Sequence, residues 1–150
     1  MNDQGEDQLA GWLTATGHAY RARIYYADTD FSGFVYHARD LEFLERGRSD
    51  YLRLAGIHHT ELAAYEQPVV WVVRKMEIEF AAPARMDDIV TVETQTDEIS
   101  GARIIMSQTI LRSGTRLISA KVEAAIVTLD GKPRRFPKDW ASRLRPVLKA

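Results

Sequence analysis

The chain has 150 residues, 45% hydrophobic and 27% charged, with a formal net charge of −1 and no cysteine. That length and apolar content suit one globular domain with its own core. The missing cysteine excludes disulfides, thiolate metal sites and a cysteine nucleophile, and the near-zero charge gives no global field to recruit nucleic acid. No apolar run approaches the roughly 18 residues of a membrane span, and the polar start MNDQGEDQ lacks the basic-then-apolar pattern of a signal peptide. A cytoplasmic enzyme or binding domain is expected.

Residues 1–17 are weakly patterned, and QLAGWLTA reads as a short helix or a loosely packed segment. A single domain is expected over residues 18–150. From His18 the pattern has period two: Tyr20, Ala22, Ile24 and Tyr26 share one face, so a strand carrying Tyr26 inward is predicted. ADTDFSG then supplies turn formers.

Helical spacing follows in YHARDLEFLERGRSDYLRLAG, with Leu41, Leu44, Arg48, Tyr51, Leu52 and Ala55 on one stripe. Glu42–Arg46 and Asp50–Arg53 have the spacing of supporting ion pairs, and Gly56 is a natural stop. Gly47 is out of place, because glycine inside a helix costs about 1 kcal/mol against alanine. A close approach of this helix to a sheet explains it.

In PVVWVVRKMEIEF, unbroken alternation puts Val70, Val72, Arg74, Met76, Ile78 and Phe80 on one face, and Val69, Trp71 and Val73 on the other. The second set, apolar but outward, predicts a subunit contact. Arg74 then reads as a buried-pair or contact residue. Three more alternating segments, roughly 88–97, 102–112 and 116–129, are joined at Ser100-Gly101 and Ser113-Gly114-Thr115, both hairpin signals. The order gives an α+β architecture, an antiparallel sheet around one long helix, with oligomerisation to cover what one helix leaves open.

The turn between the first strand and the helix carries Asp28 and Asp30, and the helix begins near Tyr36 or His37. A helix start offers unsatisfied N–H groups and partial positive charge, which bind a carboxylate or polarise a carbonyl. Asp28 or Asp30 can serve simply as a cap. Alternatively, a carboxylate stands beside a preformed oxyanion site, with His37 and Tyr26 as polar partners.

YYADTDFSGFVYHARDLEFLERGRSDYLR resembles the start of the hotdog-fold acyl-CoA thioesterases related to 4-hydroxybenzoyl-CoA thioesterase, with their Asp-x-Asp-x-x-Gly-x-Val motif before a helix. VVRKMEIEFAAPARMDDIV and KPRRFPK are similar to the Tol–Pal-associated acyl-CoA thioesterase subfamily. The resemblance spans about residues 18 to 138. It implies a hotdog fold, Asp30 as catalytic carboxylate, Tyr26 and His37 at the other active-site positions, and the His37 N–H as carbonyl-polarising donor. Phe31, Ser32 and Arg39-Asp40 depart from the subfamily pattern and bear on pocket shape. The implied partners are acyl-CoA, or acyl carrier protein as the alternative carrier, and further copies of the chain in a dimer or tetramer; no cofactor is implied. A hydroxyacyl-thioester dehydratase and a non-catalytic Tol–Pal binding module are the rival readings.

His58-His59 makes a poor metal site, since adjacent residues rarely supply two ligands. Glu45 reads as a structural partner of Arg46 or Arg48, although some hotdog thioesterases use a helix glutamate as catalyst. Beyond Gly131 the tail carries Lys132, Arg134, Arg135, Lys138, Arg143, Arg145 and Lys149 against Asp139 alone. It reads as a solvated extension or as a phosphate site for coenzyme A, through Arg134 and Arg135, or for peripheral contact with anionic lipid.

Overall fold

The computed structural model describes residues 11–144; Arg145 and Lys149 of the basic tail and the start of the weakly patterned segment lie outside that range. The strands are β1 (Trp12–Leu13), β2 (Gly17–Arg23), β3 (Val69–Phe80), β4 (Ile89–Ser100), β5 (Arg103–Arg112), β6 (Thr115–Thr128) and β7 (Pro133–Arg134). The helices are α1 (His37–Leu54), α2 (His59–Ala63) and α3 (Trp140–Leu144). All strand pairs are antiparallel, in the order β1-β2-β4-β5-β6-β3, with β7 added to β6. Helix α1 packs chiefly over β2 and β4. This is the expected α+β arrangement, although Trp12–Leu13 is an edge strand, not part of a helix.

The hairpin signals act as read. Ser113 and Gly114, both at positive φ, form the two-residue link between β5 and β6, the conformation a twisted hairpin requires. Helix α1 ends in a Schellman motif: Gly56 N–H bonds Arg53 O, Ile57 N–H bonds Leu52 O, and Gly56 has φ +83°. Ile57 and Leu52 are both buried, so the cap continues into the core.

Gly47 makes the close approach that its sequence position implies. A Cβ there would stand 2.8 Å from Val92 Cγ1 and 3.3 Å from Gln108 Nε2. The buried residues of α1 are Phe43, Leu44, Gly47, Tyr51 and Leu52. Leu41 faces out, and Phe43 takes the inward place. The two anticipated helix pairs are replaced: Glu42 pairs with Arg39, while Asp50 accepts from His18 Nε2 and Gly11 N–H, each at 2.6 Å. Asp50 thereby ties the helix to β2 and to the chain entering β1.

Strand β3 departs from the predicted facing. A β-bulge between Val73 and Lys75 places Arg74 out of register, and one extra residue exchanges the faces on either side of it. Val69 and Trp71 therefore point inward with Met76 and Ile78. The outward subunit contact through Val69, Trp71 and Val73 is overturned, and Arg74 is exposed.

The basic tail is only partly solvated. Trp71, Phe136 and Trp140 stack with ring centroids 5.4–5.8 Å apart, and Trp140 and Leu144 are buried with Tyr51, Leu52 and Ile57. The tail closes the core beneath the C-terminal half of α1, while its described cations, Lys132, Arg134, Arg135, Lys138 and Arg143, are exposed.

Candidate active site

The stretch before α1 is built by its own polar side chains. Pairing of β2 with β4 ends at Arg23–Ile89. The Asp28 carboxylate then accepts the Tyr25 N–H at 2.9 Å, and a 3-10 turn forms over Tyr26–Asp28. This lifts Tyr26 away from the core: it is 82% exposed, which corrects the inward placement read from alternation.

Next comes a small hairpin. Thr29 bridges to Val35, Asp30 N–H bonds Phe34 O, and Gly33 N–H closes the turn on Asp30 O. Ser32 donates its N–H, at 2.8 Å, and its hydroxyl to Asp30 Oδ1. The hydroxyl bond, then the N–H bond, and more weakly the charge of His37 hold the Asp30 carboxyl below its ordinary range. One oxygen is thus fixed by Ser32, while Oδ2 has no hydrogen-bond donor among the described residues.

His37 is the first residue of α1, following Tyr36 as N-cap, and no side chain caps the first turn. Its ring meets Tyr36 edge-on at 4.7 Å and Phe80 of β3 at 6.3 Å. Arg39 laces this turn to the preceding one, with Nε 3.5 Å from Asp28 Oδ1 and Nη2 3.3 Å from Ala27 O. Asp28 is therefore the structural aspartate and Asp30 the available one. Ionised carboxylate, imidazole and open helix start can together orient a polar substrate group and stabilise developing negative charge.

Tyr26 lies in the adjoining turn with its ring in solvent. Arg134 and Arg135 are not brought to this cluster within the chain: β7 pairs β6 at Ile126 and Val127, whereas Phe80 pairs with Ile118. Eight residues of β6 separate the two levels, about 26 Å at ~3.3 Å per residue. Arg134 instead bonds Gln67 at 2.8 Å. Ser32 and Arg39 are the site residues whose roles the sequence reading missed. The Asp-x-Ser spacing of a side-chain-closed turn was the signal for Ser32; nothing local announced the bond from Arg39 to Asp28.

Asp40, in the first turn of α1, is on the stripe that continues into Phe43, Leu44 and Gly47. Burial pushes its carboxyl up to about 7. The folded state then holds a proton that the unfolded chain releases near pH 4, so stability falls as pH rises from about 4 to 7. Asp40→Asn should remove that slope: melting temperatures measured across this range should converge for the two proteins at low pH and favour the variant at pH 7.

Comparison with known proteins follows the same geometry. Residues 25–144 match the model of the thioesterase-like superfamily. An acyl-CoA thioesterase, YbgC, of Haemophilus influenzae is 40% identical over 124 residues, 82% of this chain and 90% of that one. A probable thioesterase from Bartonella henselae superposes with TM-score 0.78 at 50% identity, covering 81% and 99% of the two chains. A mutant 4-hydroxybenzoyl-CoA thioesterase complexed with 4-hydroxybenzoyl-CoA shares the fold at TM-score 0.80 and 18% identity, over 87% and 99%. The sheet around α1 is thus a hotdog fold, and the chain belongs to the thioesterase-like superfamily.

Proposed function

We propose that the protein hydrolyses acyl-CoA thioesters to the free acid and coenzyme A at the Asp30–His37 junction. The observation that carries this is an ionised carboxylate with one free oxygen beside the uncapped start of the longest helix. The names of the relatives at 40% and 50% identity support the same reaction class.

The chemistry needs few groups. A thioester carbonyl is weakly resonance-stabilised, and a thiol with pKa near ~8.5 leaves without a strong acid. The His37 N–H and the helix N-terminus stabilise the oxyanion. Asp30 Oδ2 either attacks the carbonyl, giving an acyl-aspartyl intermediate that water cleaves, or removes the proton from an attacking water. His37 and Tyr26 are the further polar partners of the substrate. Asp30→Asn should lower turnover at least ~10²-fold with folding intact, as thiol release will show; full activity in that variant refutes the assignment. In the wild type, the acidic limb of kcat/KM should lie below the ordinary carboxylate range near pH 4, because Ser32 stabilises the anion.

A second copy completes the site. Tyr25, Tyr26, Phe31, Tyr36 and Phe80 are all exposed around Asp30, Phe31 completely, and β3 is a twelve-residue edge strand ending there. A water-excluded thioester site cannot be made from so open a surface, and a long edge strand invites pairing. A dimer, or a tetramer of paired dimers, is expected by light scattering at micromolar concentration; a particle of monomer mass contradicts it.

Arg134 and Arg135 are assigned to the coenzyme A phosphates. Both are exposed, and neither forms an ion pair among the described residues. Replacing both by glutamine should raise KM and leave kcat nearly intact, the result of lost uniform binding. Unchanged KM removes them from the site.

A further inference from the structure

Because α1 lies over β2 and β4, a groove separates it from edge strand β3. His37 meets Phe80 at one end of this groove. Farther along the same helix face, Glu45 and Arg48 border a cavity of about 130 Å³ together with Val73 of β3. Leu41 stands one turn from both His37 and Glu45 and shares their face. Leu41, Val73 and Phe80 are 39%, 48% and 48% exposed, an apolar line left open from the helix start to the cavity.

The cavity has an apolar floor that includes Met106 and Ala124, and a polar wall of Glu45, Arg48, Ser49 and His59; Trp71, whose buried Nε1 has no partner among the described residues, also lines it. Arg48 donates from Nη1 to Gln108 Oε1 at 3.0 Å, one of the five donors of a guanidinium. It forms no ion pair within 4.0 Å among the described residues. Burial lowers its pKa and the charge of Glu45 raises it. Glu45 accepts the Ser49 hydroxyl on Oε1, leaving Oε2 as an acceptor. The wall thus presents spare donors and a spare acceptor side by side, at near-zero net charge.

A hydroxyl suits that wall, accepting from Arg48 and donating to Glu45. A carboxylate would meet Glu45, and an alkyl end would cover the remaining donors of half-buried Arg48 without supplying an acceptor, which is unfavourable. Length follows from the helix: eight residues separate His37 from Glu45, about 12 Å at 1.5 Å each. Helical side chains lean back toward the N-terminus, shortening the span to ~10–12 Å. An extended acyl chain advances roughly 1.3 Å per carbon, from C–C bonds of about 1.5 Å, so ~8–10 carbons reach the wall.

We propose that this cavity receives the far end of the acyl group and selects chains of about eight to ten carbons that end in a hydroxyl. The proposal rests on the reading that places the thioester carbonyl at His37, and adds the substrate class. The test is thiol release from hexanoyl-, decanoyl- and 10-hydroxydecanoyl-CoA and from the ten-carbon ω-carboxyacyl-CoA. The wild type should prefer the hydroxyl chain over decanoyl by about tenfold in kcat/KM, since a site built to bond a hydroxyl discriminates against an analogue without one. The ω-carboxy chain should fall below the hydroxyl chain. Glu45→Gln and Arg48→Lys should each bring the hydroxyl-to-alkyl ratio near one; a ratio taken within each variant is insensitive to the amount of folded enzyme. A wild-type ratio of one or less, a carboxyl chain that outruns the hydroxyl chain, or a ratio retained in both variants overturns the proposal. Hexanoyl-CoA is too short to reach the wall: if it is hydrolysed while the two ten-carbon chains show no hydroxyl preference, the pocket alone is overturned. No hydrolysis of any thioester overturns the Asp30 reading and the pocket with it.

Discussion

The side-chain amide of Gln108 sits fully buried between the helix and the sheet, and all its partners are accounted for. Its Nε2 donates to Leu44 O at 2.9 Å and to Thr94 Oγ1 at 2.8 Å, while its Oε1 accepts from Arg48. A buried amide left unpaired costs more than one further hydrogen bond contributes. The helix is therefore held at the one height and rotation that satisfy it. Gly47 permits that height, because any Cβ would meet Val92 first. This polar layer divides the apolar interior. Phe43 and Leu44 pack on one side with Ile24, Val90 and Ile118, and Tyr51 and Leu52 on the other with Met106, Ile126 and Trp140. Everything at either end of α1 inherits its position from this layer.

At the C-terminal end that position is reinforced by apolar closure: the Schellman cap, α2 and the aromatic stack of the tail all bury surface there. The N-terminal end is held differently. Its ties are the Arg39–Asp28 contact, the bond from Tyr36 N–H to Asp28 O and that from Val35 N–H to Ala84 O. Backbone and charged bonds of this kind orient the chain without covering it. The stable end thus anchors the helix, and the polar end keeps its N–H groups and Asp30 accessible.

Most of this architecture was legible in the sequence because it depends on local periodicity and turn chemistry. The start of α1 at His37, the stop at Gly56, the misplaced Gly47 and the Ser-Gly hairpins all carry their cause within a few residues. The failures have non-local causes. Alternation in β3 was correct on each side of Arg74, but a bulge has no signature in VVWVVRKMEIEF, and its single extra residue moved Val69 and Trp71 to the core. Tyr26 continued the β2 pattern in sequence, but β4 begins at Ile89 and offers no partner beyond Arg23. In the tail, charge concealed a widely spaced apolar set of Phe136, Trp140 and Leu144, and Trp71, the common partner of the first two, lies more than sixty positions earlier. Within the site, the motif located Asp30 and His37, while the bonds orienting them emerged only from the folded turn.

Two carboxyls share the helix start, and their surroundings separate them. Asp30 is fully exposed and bonded by Ser32, which favours its anion; Asp40 is half-buried, which pushes its carboxyl up to about 7. The same backbone N–H groups and macrodipole would otherwise attract both charges. Below about pH 7, where Asp40 keeps its proton, the positive potential of the first turn is not cancelled from inside the protein, so it remains directed at whatever negative charge approaches from the Asp30 side. Opposed environments for neighbouring acids are a recurrent way to assign them different roles. Here desolvation on the inner stripe of α1 and a two-residue turn outside it, helped weakly by the charge of His37, produce that separation.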